Sequence, residues 1–457
     1  MVLTGRVALL ALIGAGAVGL LVAGGIPAMV ALVAVNAVLG LAVVLDALRA
    51  ARPRDLALVR SGDRRVRLGE QARVQLAVTN TGTRRWHGLL RDAWAPTANA
   101  TIAGGGAGDR TPVDLAPGVT ARVDVTLRPS RRGDRPTDRV TLRSLGPFGL
   151  AGRQRSLEVP WSVRTLPPFT SRRHLPSRLA RLRDLDGRQA IAVRAQGTEF
   201  DSLREYVHGD DVRSIDWRAT ARASDVMVRT WRPERDRRVV LVLDTGRTAA
   251  VRIGDETRMD ILLDAGLLLA ALAGRAGDRV DLLAHDRRTR LQVTGGGGPS
   301  LLPRLVEGIA TLEPELVETD YRGLVSAVLS RVRKHALVVL FVALDRPAME
   351  EGLIPAIPAL TARHTVIVAS VQEPQPPADS PQGDGISAES GRFGEVAESL
   401  RAAAVYLSAA RARADLDRAH VATRLARMGV RVVEATPTEI APKVADAYLD
   451  LKAAGRL

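Results

Sequence analysis

Arg238-Val239-Val240-Leu241-Val242-Leu243-Asp244 decides the fold. Its five central residues are all apolar, so no position is left to face water. That is the pattern of a strand buried on both faces of a parallel sheet covered by helices. Ala336-Leu337-Val338-Val339-Leu340-Phe341-Val342-Ala343-Leu344 repeats the pattern and also ends on an acid, Asp345. Working outward, Arg279–Ala284, Leu291–Val293, His364–Val371 and Val430–Val433 read as further strands. Met259–Ala273, Leu301–Leu312, Tyr321–Val332 and the Ala/Arg-rich run Ala402–Arg427 read as helices, the last with a solvated charged face. Alternating strands and helices across 236–457 predict a doubly wound α/β domain. Glu373–Arg392, rich in Pro, Gly and Ser, is expected to be a loop.

In such sheets ligands bind beyond the carboxyl ends of the strands. Asp244 and Asp345 stand at two of those ends. Paired carboxylates with hydroxyls nearby would suit a hard cation such as Mg²⁺, which takes oxygen ligands and keeps some waters.

Residues 52–166 follow another rule. Val74, Leu76 and Val78 alternate with Arg73, Gln75 and Ala77, and Val123, Val125 and Leu127 repeat the period before Val140 and Leu142. Short alternating runs between turn residues predict a small antiparallel β-sandwich. It contains no cluster of His or carboxylates and is expected to act as a spacer or docking module.

The N-terminus is apolar. Val7 to Leu45 carries no charge, about twice the length that crosses a bilayer, and Ala23-Gly24-Gly25-Ile26-Pro27 breaks it. Residues 1–48 are therefore expected to form a transmembrane helical hairpin, spanning about 7–23 and 27–45. Arg6, Arg49, Arg52 and Arg54 flank the pair, which places both termini and the bulk of the chain in the cytoplasm. A cleaved signal peptide would not explain the second run. Gly14-Ala15-Gly16-Ala17-Val18-Gly19 fits G-x-G-x-x-G, but Leu20–Leu45 offers no acid for a ribose. Small residues at a helix–helix contact in lipid explain these glycines better.

Composition narrows the function. There are no cysteines, which removes disulfides, thiolate metal sites and thiol nucleophiles. The formal net charge is +15, and all of the excess lies in residues 1–200. Beside a membrane anchor, anionic headgroups are the expected attraction. Nucleic acid is not expected, because no basic helix carries interleaved aromatics. The sequence holds no H-E-x-x-H pair, no G-x-S-x-G elbow and no G-K-[ST] phosphate loop.

Residues 170–235 carry a dense motif, Gly197 to Glu234, holding four of the chain's 14 aromatics. Its charges alternate in sign, as in networks of Arg–carboxylate bonds. It reads either as a recognition surface, a nucleotide or peptide clamp, or as a segment stapling the sandwich to the next domain. His208 with Asp210 and Asp211 could imitate a metal site, but turn and capping roles suit those aspartates better.

Arg204-Glu205-Tyr206, Gly209-Asp210-Asp211, Arg213-Ser214-Ile215-Asp216-Trp217-Arg218-Ala219-Thr220-Ala221-Arg222 and Glu234 resemble the signature of the domain of unknown function 58 family. The layout is similar too: two membrane helices, a β-rich section, the motif, then a von Willebrand factor A-like domain. The resemblance implies a partner, a MoxR-type AAA+ ATPase, in a chaperone-like or assembly role, and it implies no reaction. It also implies comparison with the metal-ion-dependent adhesion site, an Asp-x-Ser-x-Ser loop with a Thr and an Asp on two other loops. Asp244 and Asp345 match the two acids. Thr248 stands for the second Ser and Thr319 for the second-loop Thr. Gly246 replaces the first Ser, and Arg247 brings a positive charge, so the site is degenerate, with or without Mg²⁺.

The expected function is a membrane-anchored, non-enzymatic interaction module using Asp244, Thr248, Thr319 and Asp345 as its contact edge. The alternative is an enzyme or regulatory component of cell-envelope metabolism, with chemistry in residues 197–234.

Overall fold

The computed structural model describes residues 2–103, 110–192, 199–208, 210–223, 225–232, 237–295, 298, 300–373 and 392–457. The chain forms two compact units, Met1–Pro168 and Phe169–Leu457.

The first unit begins with helices α1 (Gly5–Ala23) and α2 (Ala28–Arg49). Both are long and apolar enough to cross a membrane. Leu12, Leu20, Met29 and Val38 point outward without protein cover. Gly14 faces Val35 so closely that a Cβ would stand 3.0 Å from its Cγ1, whereas Gly16 and Gly19 face open space. The helix–helix explanation therefore holds for the first glycine of the three. Asp46, in the last turn of α2, is buried and accepts backbone hydrogen bonds from Phe148 (2.8 Å), Leu150 (2.7 Å) and Ala151 (2.9 Å). One carboxylate thus ties the second helix to a turn of the β region.

That region contains β1 (Leu56–Gly62), β2 (Ala72–Asn80), β3 (Trp86–Trp94), β4 (Ala100–Ile102), β5 (Arg110–Leu115), β6 (Thr120–Leu127), β7 (Gly133–Leu145), β8 (Ala151–Leu157) and β9 (Ser162–Leu166). One sheet runs β1-β2-β6-β4. In the other, β5, β3, β7 and β8 are antiparallel neighbours, and β9 also pairs with β7. The two sheets share a core of Leu76, Val78, Trp86, Leu90, Val123 and Leu142. The period-two pattern thus puts alternate residues inside.

The second unit is built on six strands in the order β14-β13-β12-β15-β16-β17. They are β12 (Arg238–Asp244), β13 (Arg279–His285), β14 (Thr289–Val293), β15 (Leu337–Phe341), β16 (Thr365–Val371) and β17 (Arg431–Ala435). All neighbours are parallel except β13 and β14. Ahead of them, β10 (Glu199–Glu205) and β11 (Met227–Arg232) form a separate antiparallel pair.

Helices cover both faces of the large sheet. Val240, Val242, Val338 and Leu340 share a core with Leu324 and Val328 of Tyr321–Arg331, Ile357 of Ile354–Thr361, and Leu425 of Arg392–Arg427. Leu241, Leu243 and Phe341 point to the other side, beside Leu262 and Leu267 of Arg258–Arg275 and Leu305 and Ile309 of Leu301–Ala310. Each fully buried Val or Leu contributes about 1.5–3 kcal/mol, so two-sided burial makes the sheet the stable frame. The helix Arg392–Arg427 begins ahead of the expected Ala402. Most of the expected Glu373–Arg392 loop lies outside the described residues.

From β12 the chain goes first to β13 on one side and later to β15 on the other. The β12–β15 gap is therefore where the winding reverses, the usual place for a site in an open α/β sheet.

Candidate functional site

Asp244 ends β12 at that reversal and is 1% exposed. Its Oδ1 accepts from the Gly246 amide (2.8 Å) and the Thr319 hydroxyl (2.5 Å). Its Oδ2 accepts from the Thr248 hydroxyl (3.1 Å) and the Tyr321 phenol (3.1 Å). One carboxylate thus joins the loop after β12 to the loop that opens the Tyr321–Arg331 helix. Backbone bonds close the same seam: Arg247 donates to Val317 (2.8 Å), Glu315 to Thr245 (2.8 Å) and Asp320 to Asp286 (2.9 Å). Burial, then the nearby Asp244 carboxylate, pushes the Tyr321 phenol well above its ordinary value, so it remains a donor.

Three of the four residues expected to form the edge, Asp244, Thr248 and Thr319, meet directly. Asp345 is half-buried at the start of the short turn Arg346–Ala348 and gives that turn no side-chain cap. Its charge reaches the Tyr321 phenol. Arg247 does not point its charge at Asp244: it forms an ion pair with Glu318 at 2.5 Å on the surface.

This donor set does not fit a hard cation as it stands. A carboxylate offers about four lone-pair sites, and four protein donors fill them at Asp244. Gly246 supplies no hydroxyl, and a Cβ there would stand 2.1 Å from the Thr319 oxygen. A serine at 246 and the present Thr319 therefore exclude one another. Among the described residues no group of three His, Asp or Glu side chains is placed to hold a metal.

Three participants were missed in the sequence. Tyr321 was read only as a helix start, and His285 and Asp286 were not singled out. Asp286 follows β13 much as Asp244 ends β12, and that repetition was the available signal. Asp286 accepts from the Thr245 hydroxyl (3.1 Å) and from Arg290 (2.9 Å). Burial pushes its pKa up, but the amides of Arg288 and Arg287 and the Arg290 guanidinium outweigh burial and hold it low. Burial pushes the His285 imidazole down against the pull of Asp320 and Asp286, so it is neutral.

The dense motif forms a different structure. Asp211 caps the turn Val212–Ser214 through the Arg213 amide (2.9 Å). Asp216 caps the helical turn Trp217–Thr220 through the amides of Arg218 and Ala219 (both 3.0 Å) and takes a bond from Arg229 (2.7 Å). Asp210 pairs with Arg204 at 2.6 Å and accepts from the Val207 amide. The Ala219 amide, then Arg229, holds Asp216 below the usual carboxylate range, and Arg204 does the same for Asp210. Tyr206 bonds by its backbone amide to Val226 (2.7 Å). Trp217, 69% exposed, stands at the surface with Arg213, Arg218 and Arg222. Gly209 and Glu234 lie outside the described residues. These aspartates hold turns and ion pairs.

The family model described as "Protein of unknown function DUF58" matches residues 202–410, from the motif through most of the large sheet. Residues 202–410 are thus similar to the DUF58 family. Uncharacterized proteins of Mycobacterium bovis and Mycobacterium tuberculosis are 26% identical to it over 193 residues, 42% of this chain. The chain spans 60% of the length of these curated relatives. Among solved structures, Escherichia coli alpha-2-macroglobulin activated by porcine elastase is similar at 17% identity and a TM-score of 0.18. That match covers 24% of this chain and 9% of that one. The DUF58 region therefore contains both the Asp216 hairpin and the Asp244 cluster.

Proposed function

We propose that residues 236–457 act as a von Willebrand factor A-like interaction domain, held at a membrane by the N-terminal helix pair. Its partner is a MoxR-type AAA+ ATPase, and its role is chaperone-like or assembly work without chemistry of its own. The helix pair leaves the bulk of the chain in the cytoplasm, where the flanking arginines favour it. The strand order, with Asp244 ending β12 and Asp345 in the loop four residues beyond β15, supports the domain comparison.

One observation carries the contact edge. The loop Glu315–Asp320 is pinned at Val317 and Thr319, yet Leu316 between its anchors is 83% exposed. A rigid loop that presents a large apolar side chain has already lost the entropy that binding would otherwise cost. Asp244 is too buried to touch a partner. It holds the edge with Thr248 and Thr319, while Leu316, the Arg247–Glu318 pair and Asp345 form the rim that does the touching. The edge works without Mg²⁺.

The test is capture of the ATPase by tagged full-length protein from detergent-solubilised membranes, with ATP present. Leu316→Asp should cut capture by at least tenfold, the effect of losing a contact worth about 1.4 kcal/mol, with an unchanged melting temperature. Equal capture by wild type and variant would remove this edge from the proposal. Capture that also survives EDTA is expected.

A further inference from the structure

The outer face of the β5-β3-β7-β8 sheet carries a feature that the interaction edge does not use. Leu89, Arg91, Arg110, Thr141, Arg143 and Gln154 line a polar depression of about 130 Å³. At a water's share of liquid volume, about 30 Å³, that is room for a phosphate-sized group. None of the six is acidic.

The arginines come from three adjacent strands and share one face. Arg91 on β3 stands directly opposite Arg110 on β5. Arg91 also faces Thr141 on β7, and Leu89 faces Arg143, so Arg143 is the diagonal neighbour of Arg91. Arg143 is steadied from β8, where the Gln154 side-chain oxygen accepts two of its N–H groups at 3.2 and 3.0 Å. Among the described residues no carboxylate bonds to Arg91, Arg110 or Arg143.

Directly opposed like charges destabilise a sheet. Some arginines of this unit are answered by aspartates. Arg85 grips Asp114 on the same face with bonds of 2.7 and 2.8 Å, and Arg60 is buried against Asp92 at 2.8 and 2.9 Å. A concave trio with no carboxylate partner among the described residues is suited to an anion from outside. Planar guanidinium forks match tetrahedral oxyanions, with two parallel bonds per arginine. Residues 1–168 carry 23 arginines against 11 acids, so the surrounding field also favours an anion.

We propose that Arg91, Arg110 and Arg143 form a binding site for a phosphate group, carried either by a lipid headgroup or by a soluble phosphate. The site is independent of the Leu316 edge.

The test uses full-length protein in neutral detergent. Inorganic phosphate is titrated by calorimetry at low salt, and phosphatidylglycerol retained from mixed vesicles is counted by mass spectrometry. Each of Arg91→Gln and Arg143→Gln should weaken phosphate binding about tenfold, the size expected for one charge-assisted contact. Both variants should melt at or above the wild-type temperature, because a repulsion is relieved. Arg85→Gln, which removes a paired arginine from the same face, should leave binding unchanged. Phosphate binding lost in the first two variants identifies a soluble source. Phosphatidylglycerol retained by wild type and released by those variants, without free-phosphate binding, identifies a headgroup. No binding of either probe by wild type, equal binding by all variants, or an equal loss in Arg85→Gln would overturn the site.

Discussion

Asp244 and Asp216 do similar local work in opposite surroundings. Each is one aspartate holding backbone amides and side-chain donors from more than one segment. Asp244 sits beneath two loops at the end of a sheet covered on both faces. Asp216 sits in the crossing of a two-stranded hairpin beside an exposed tryptophan. Around Asp244 water cannot replace a lost partner, whereas around Asp216 it can. Similar hydrogen-bond lists therefore predict different consequences.

The comparison breaks most visibly at Asp244. Asp244→Ala leaves the Tyr321 phenol, the Gly246 amide and two threonine hydroxyls without their acceptor. A buried donor left unpaired costs about 1–3 kcal/mol, so the variant should lose about 3 kcal/mol or more in urea unfolding. A loss no larger than that of a surface substitution would mean that water reaches the cluster. Because this variant is expected to be unstable, capture of the partner is better tested at Leu316.

Asp216→Asn should do much less. It weakens one cap and one ion pair that solvent can satisfy, so the melting temperature should fall detectably but by far less than in Asp244→Ala. Equal destabilisation of the two variants would erase the distinction between buried hub and exposed hairpin.

The smallest expected effect is a pH dependence. Burial lowers the pKa of both His285 and His364, and His335 and Arg363 lower that of His364 further. Unfolded histidine takes up its proton near pH 6.5. The unfolded chain therefore binds more protons just below that pH, and this stability is present above about pH 6.5 and lost as pH falls beneath it. Urea midpoints at pH 5.5 and 7.5 should differ in that direction, with a smaller difference in His364→Gln. A midpoint that rises on acidification would contradict the burial argument.

Much of the fold was legible because its patterns are local. Five apolar residues in a row at 239–243, alternation at 74–78 and an uncharged run at 7–45 each report where a segment's neighbours must lie. Asp244 and Asp345 were legible for a related reason, since an acid that ends an apolar run stands at or just beyond the carboxyl end of a strand. The G-x-G-x-x-G run shows the limit: only the packing of Val35 against Gly14 separates the glycine in contact from the two in open space.

What the sequence by itself determined is the order of layers and the identity of the strand-ending acids, because hydrophobic periodicity is set residue by residue. Only the tertiary structure decided which donors reach those acids. The Tyr321 phenol and the Thr319 hydroxyl lie more than seventy positions from Asp244, and no local pattern encodes that meeting. The same holds for Arg91, Arg110 and Arg143, unremarkable among the chain's arginines until strand register set them on one face. Hydrogen bonds and charge repulsion act over a few ångströms, and which residues come that close is settled by how the strands pair.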